Sequence, residues 1–280
     1  MLAVDGGAGH GLYFVLHTVG HRRHNIGAPR SMRSGLIPEH RSNIVPAMTP
    51  LVSYDHQGAV AAITMDDGKV NALSRPMLAE LDAALDRAAA DRAVVVLGGR
   101  AGVFSAGFDL SVLRAGGTDA LAMVRAGFEL AARLLSFPMP VVVACTGHAV
   151  AMGLFLLESG DYRIGTAGAY KLMANEVALG LTMPRAAVEI LRQRLTPAHL
   201  DRAVMLAEPF TPDSSAVAAG LLDRVVDAAE LWTVARATAT LLAALDMRAH
   251  AESKLRVRAA ALSAIRAAID ADAAELLARA

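Results

Sequence analysis

Only one cysteine, Cys145, stands in the chain of 280 residues. That excludes an intramolecular disulfide and fits a reducing, cytoplasmic setting. Cys145 closes the run Val141-Val142-Val143-Ala144 and reads as a small buried hydrophobe, not a nucleophile. An excess of charge of either sign is also lacking, since 27 Lys plus Arg balance 27 Asp plus Glu. No electrostatic footprint for nucleic acid or an anionic membrane surface follows from that balance. No run of about 18 uncharged apolar residues occurs, so no membrane span is expected. The apolar stretch Leu12-Tyr13-Phe14-Val15-Leu16 is short and lacks a preceding basic region, a poor signal peptide.

Residues 1–47 show no sustained period of 3.6 or 2 and are rich in Gly, Pro, Arg and His. They are expected to be a disordered extension, with His21-Arg22-Arg23-His24 a solvated patch within it. Regular patterning begins near Leu51. The remaining chain divides into a core over 48–195 and a helical region over 196–280. With 54% hydrophobic residues, it has ample material for a core.

Ala59–Met65 reads as a strand that ends at the turn Asp66-Asp67-Gly68. Ser74 is an N-cap with Pro76 just inside the helix, and Met77, Leu81, Ala84, Leu85 and Ala88 keep helical spacing. A strand over 93–97 follows, then the glycine-rich stretch Phe104-Ser105-Ala106-Gly107-Phe108-Asp109-Leu110. Leu121, Val124, Phe128, Ala131 and Leu135 form the apolar stripe of a helix stopped by Pro138 and Pro140. Val141–Cys145 is the next strand, followed by the small-residue turn 146–153 and a buried helix. Strand–helix alternation of this length implies a largely parallel sheet. Beyond Thr182 helices are expected near 184–194, 197–207, 213–219, 227–246 and 250–277, with Gly220 a C-cap. Leu255, Leu262, Ile265, Ile269 and Leu276 stripe the last helix, which packs on its own core or on a partner.

Two glycine-rich loops following parallel strands place backbone N–H groups side by side, as an oxyanion hole requires. Asp109 suits fixing the first loop through backbone hydrogen bonds. His148 reads as a satisfied structural histidine. Glu158 reads as an ion-paired or solvent-facing carboxylate.

Three segments resemble the crotonase superfamily, the enoyl-CoA hydratases and isomerases: Asp67-Gly68-Lys69-Val70-Asn71-Ala72-Leu73, Phe104–Leu110 and Gly147-His148-Ala149-Val150-Ala151-Met152-Gly153. The resemblance covers roughly Val52 to Ala280. It implies an α/β fold with a ββα-repeat core, a helical C-terminal trimerisation region, and acyl-CoA thioester substrates. It further implies a homotrimer or homohexamer, and no cofactor or metal, because coenzyme A belongs to the substrate.

By the same resemblance the oxyanion donors fall on the N–H groups of Ala106 and Met152. Gly107, Phe108, Asp109 and Phe155 line the acyl site. Lys69, Asn71 and Ala72 lie along the CoA moiety, Lys69 one position off the family's usual basic residue. Family hydratases use two glutamates. The first position holds Phe155, which carries no proton, and the second holds Glu176 in Asn175-Glu176-Val177-Ala178-Leu179-Gly180. With Asp161-Tyr162-Arg163-Ile164 upstream, this looks like the isomerases that keep only the later glutamate. Moving a double bond needs one base, whereas adding water is best shared between two carboxyl groups. The implied function is therefore a 3-enoyl-CoA to 2-enoyl-CoA isomerase. An enoyl-CoA hydratase and a non-catalytic acyl-CoA-binding protein are the alternatives.

Overall fold

The computed structural model describes residues 49–279; the expectations for 1–47 lie outside the described residues. The first strands, β1 (Val52–Gln57) and β2 (Val60–Met65), pair antiparallel, and α1 (Arg75–Ala90) follows. Ser74 caps α1 as expected, its hydroxyl accepting the Met77 N–H at 3.3 Å. The Glu80 carboxylate on that helix accepts the Leu51 and Val52 N–H groups at 2.7 and 2.9 Å, fixing where β1 begins.

From here the chain repeats a unit of two strands and a helix. The first unit is β3 (Val94–Gly98), β4 (Gly102–Ser105), α2 (Leu110–Ala115) and α3 (Gly117–Ser136). The second is β5 (Val141–Cys145), β6 (Gly147–Val150) and α4 (Met152–Glu158). The third is β7 (Tyr162–Thr166), β8 (Leu172–Met173), a 3-10 turn over Val177–Leu179, and α5 (Arg185–Arg192). Each unit gives its first strand to one sheet and its second to another. The larger sheet runs β1-β2-β3-β5-β7-β9, where β9 is Arg224–Val226, and is parallel except at β1. The smaller sheet runs β4-β6-β8 and is wholly parallel.

Helices α6 (Pro197–Met205), α7 (Ser214–Ala219) and α8 (Leu231–Leu242) complete the region before the last helix, α9 (Met247–Arg279). β3 and β5 are buried along their whole length. Their valine-rich runs suit a parallel sheet covered on both faces. Val94, Val96, Val142 and Ala144 pack toward α8, while Val95, Leu97, Val141 and Val143 join the main core with α1, α3 and α4. Gly220 caps α7 in the left-handed region as expected, with φ of 93°.

Along α9 the apolar stripe finds its partner within the chain. Leu262, Ile265 and Ile269 are buried, α3 and α5 lie against the helix, and Arg125–Asp270 and Arg185–Asp272 pair at 3.0 Å. Leu255 stays exposed. Among the described residues, no helix is long and apolar enough to cross a membrane.

The Asp161-Tyr162-Arg163-Ile164 stretch lies at the amino end of β7. Arg163 bonds Glu158 at 2.6 Å and Asp223 at 3.0 Å, while Asp161 holds Lys254 at 2.6 Å and Arg258 at 2.9 Å. These are buried ties between α4, β7 and α9, and Glu158 is the ion-paired carboxylate expected. Cys145 is buried and its thiol is pushed up to about 12, chiefly by that burial. Such a thiol is inert.

Candidate active site

All three strands of the small sheet end at one edge, and each ends in one piece of the site. Ser105 of β4 leads into Ala106-Gly107-Phe108, and Val150 of β6 leads into Ala151-Met152. Met173 of β8 leads into Ala174-Asn175-Glu176. The carboxyl edge of parallel strands is where open α/β sheets bind ligands.

The first loop is zipped onto the segment before α1. The Leu73 N–H donates to the Gly107 carbonyl at 2.8 Å, and the Ala106 N–H to the Val70 carbonyl at 3.0 Å. The Ser105 hydroxyl donates to the Asn71 carbonyl at 2.7 Å and accepts the Gly107 N–H at 3.1 Å. Ala106, expected as an oxyanion donor, is therefore corrected: its N–H is already spent. The Phe108 N–H, two residues on, has no hydrogen-bond partner among the described residues. Asp109 caps α2 by accepting the Ser111 N–H at 2.8 Å, which fixes the residue after that free donor.

The second loop carries another unspent N–H group. Ala151 has φ of 50° and ψ of −126°, a strained conformation for a residue with a Cβ, worth about 1–3 kcal/mol. That turn starts α4 at Met152, whose N–H likewise has no partner among the described residues. Gly107, at φ of 90°, brings the loops together: a Cβ there would stand 3.0 Å from the Val150 carbonyl oxygen and 3.3 Å from the Met152 nitrogen. Only glycine combines that backbone angle with that approach. The Met152 side chain is fully buried.

Glu176 is 9% exposed, and its Oε2 is buried with no hydrogen-bond partner. Burial pushes its carboxyl up to about 7. A carboxylate poised near neutrality can both accept and return a proton.

The sequence pattern of enoyl-CoA hydratase/isomerase proteins matches residues 55–277. The chain belongs to that family, within the crotonase superfamily. A solved Mycobacterium tuberculosis protein, named an enoyl-CoA isomerase in one structure and a probable enoyl-CoA hydratase in another, is 49% identical in the first, which covers 81% of this chain and 100% of its own and superposes with a TM-score of 0.78. A solved enoyl-CoA hydratase of Mycobacterium ulcerans is also 49% identical, over 80% of this chain and 99% of its own, at 0.78. A probable enoyl-CoA hydratase of Mycobacterium avium is 32% identical over 182 residues, 62% of this chain and 70% of its own.

Against this crotonase frame, several expected contacts change. Asn71 is fully buried at φ of 51°, and its amide donates to the Met65 and Phe104 carbonyls at 3.1 Å. Its side chain pins the loop segments together. Ala72 is half-buried and donates its N–H to Asp67 at 2.9 Å. Phe155 is 1% exposed and stacks on Phe128 with ring centroids 6.1 Å apart. It backs the site as core and does not present a ligand surface. Phe108 meets the same Phe128 ring edge-on at 6.3 Å. His148 accepts the Lys171 N–H at 2.9 Å and packs on Tyr170, a structural histidine as expected.

Lys69 is exposed, and its carbonyl accepts the Arg100 guanidinium at 2.8 Å. Arg100 went unread in the sequence because it lies in a turn 31 residues away. Asp67 was also missed. Burial raises its carboxyl, yet the Asn71, Ala72 and Lys69 N–H groups together hold it below the usual range. An Asp followed by Gly-Lys-Val-Asn is the available signal for such a turn. Among the described residues no cluster of three or more His, Cys, Asp or Glu could hold a metal.

Proposed function

We propose that the protein is a 3-enoyl-CoA to 2-enoyl-CoA isomerase acting on fatty acyl-CoA thioesters through Glu176 alone. The observation that carries this reading is the buried Glu176 carboxyl, whose Oε2 has no hydrogen-bond partner, together with a phenylalanine, Phe155, sealed in aromatic core where family hydratases carry their first glutamate. Glu158, one helical turn further on, is held by Arg163 and is not free to replace the missing acid. The names of the two 49%-identical structures divide between isomerase and hydratase, so the side chain at 155 carries the choice.

In this reading the Phe108 and Met152 N–H groups donate to the thioester oxygen. Glu176 takes a proton from C2, and the electron pair of that C–H bond moves into the conjugated carbonyl as a dienolate. The carboxyl then returns the proton to C4, and the double bond passes from C3–C4 to C2–C3. Each donor of this kind is worth about 2.7–4 kcal/mol as charge develops on the oxygen. Lys69 and Arg100 are the cations we assign to the CoA phosphates. No cofactor is required, because CoA is part of the substrate.

A homotrimer or homohexamer in the cytoplasm belongs to the same proposal. Exposed Leu241 at the end of α8, Leu245 in the turn after it and Val257 within α9, at 76%, 49% and 85%, support a further copy along this surface. Sedimentation of the purified protein tests that part.

The activity test is conversion of 3-hexenoyl-CoA, followed by the absorbance of the conjugated product. Rapid conjugation with slow hydration of crotonyl-CoA is expected. Hydration at an ordinary enzymatic rate without conjugation makes the protein a hydratase. Binding without either reaction makes it a carrier.

A further inference from the structure

Gly127 lies within α3, where glycine weakens a helix relative to alanine. Its φ is not positive, so the backbone does not call for glycine there. Space does. A Cβ built at Gly127 would stand 2.5 Å from Cζ of Phe108, nearer still to Cε1, and 3.5 Å from Cγ of Met152. Ordinary carbon contacts lie at about 3.5–4.0 Å. One helical position thus adjoins the side chains of both residues whose N–H groups are unspent. The next residue, Phe128, holds the same Phe108 ring edge-on and stacks on Phe155.

We propose that Gly127 is a positioning residue: the notch left by its missing side chain seats the Phe108 ring against the Met152 side chain, and so aims both donor N–H groups. The inference rests on reading those two groups as an oxyanion hole. α3 is anchored by buried Met123, Phe128 and Ala131, whereas Phe108 is half-buried. An added methyl at 127 therefore displaces the loop and leaves the helix in place. Gly107, wedged against Val150 and Ala151, bars the loop from retreating without turning the Phe108 N–H.

The test uses 2,4-hexadienoyl-CoA, whose absorption moves to longer wavelength when its carbonyl is polarised by a donor. The wild-type protein is expected to produce that red shift on binding. Gly127→Ala is expected to lose most of it and to lower kcat on 3-hexenoyl-CoA by about 10–100-fold, less than the about 10²–10³ for outright loss of a donor. KM and melting temperature are expected to hold, since the CoA contacts and the helix are untouched.

Phe108→Leu, which shortens the group in the notch, is expected to recover part of both signals in the Gly127→Ala background, a non-additive pair. A folded Gly127→Ala protein with the full red shift and kcat overturns the proposal, as do strictly additive losses. Where Gly127→Ala alone does not fold, the double variant decides: shift restored supports the notch, shift absent overturns it. A wild-type protein without any red shift overturns the oxyanion reading and this proposal together. A wild-type shift retained in Gly127→Ala overturns only the role of Gly127.

Discussion

The Met173 carbonyl accepts the Ala151 N–H at 2.9 Å, and this bond ties the segment of the proposed base to the proposed oxyanion loop. Ala151 immediately precedes the donor Met152, and Met173 lies three residues before Glu176. A shift of either strand end moves the proposed base and the proposed donor together. The chemistry thus sits on the sheet edge and not on independently mobile loops, as a site that must hold its geometry requires.

That arrangement sets the pH dependence of the reaction. Glu176 must be ionised to take a proton, and burial places its carboxyl at about 7. The kcat/KM for 3-hexenoyl-CoA is expected to rise about tenfold per pH unit below 7 and level off above it. An ordinary carboxylate midpoint near 4.5 in the pH–rate profile contradicts a buried base.

The same group makes stability fall as pH rises. Its carboxyl titrates at about 7 when folded against 4.5 when free, so between those values the native state binds the extra proton. The stabilisation is complete below about 4.5 and is lost by about 7, a difference of roughly 3 kcal/mol. Glu176→Gln is expected to be about 1–3 kcal/mol more stable than wild type at pH 8, with the gap closing toward pH 5. Urea titrations at the two pH values measure it.

Asn71→Ala strips the buried Met65 and Phe104 carbonyls of their amide partner. A loss of about 1–3 kcal/mol is expected from those orphaned acceptors. Because the amide also spans the two loop segments, reduced turnover should accompany the lowered melting temperature.

Asp161→Ala tests the far edge of the sheet. It leaves Lys254 and Arg258 buried without their shared carboxylate. A cost of about 3–5 kcal/mol is expected. In whatever fraction stays folded, kcat should be unchanged, because Asp161 lies at the opposite strand end from Glu176.

Much of this was legible in the chain. Valine runs marked β3 and β5, Ser74 and Pro76 marked the start of α1, and the two glycine-rich stretches marked the loops. β4 and β6 were not legible: each is four residues long and starts at a glycine, too short for alternation to register. β1 carries Ser53, Asp55, His56 and Gln57 as an exposed edge, which leaves only Val52 and Tyr54 for a hydrophobic pattern. The unspent N–H lies two residues beyond the expected one. Nothing in Ala106-Gly107-Phe108 reveals that Val70 already takes the Ala106 N–H, because that bond joins segments 36 positions apart. The partner of the α9 stripe depended on α3 and α5, which no local pattern identifies.

The central claim is that one carboxylate carries the proton, and Glu176→Gln with 3-hexenoyl-CoA tests it most directly. Loss of a general acid–base group costs about 10²–10⁴ in rate. A fall in kcat of that size, with acyl-CoA binding retained and the far-ultraviolet dichroism unchanged, is the predicted result. A folded Glu176→Gln protein that isomerises 3-hexenoyl-CoA at the wild-type rate would contradict the account.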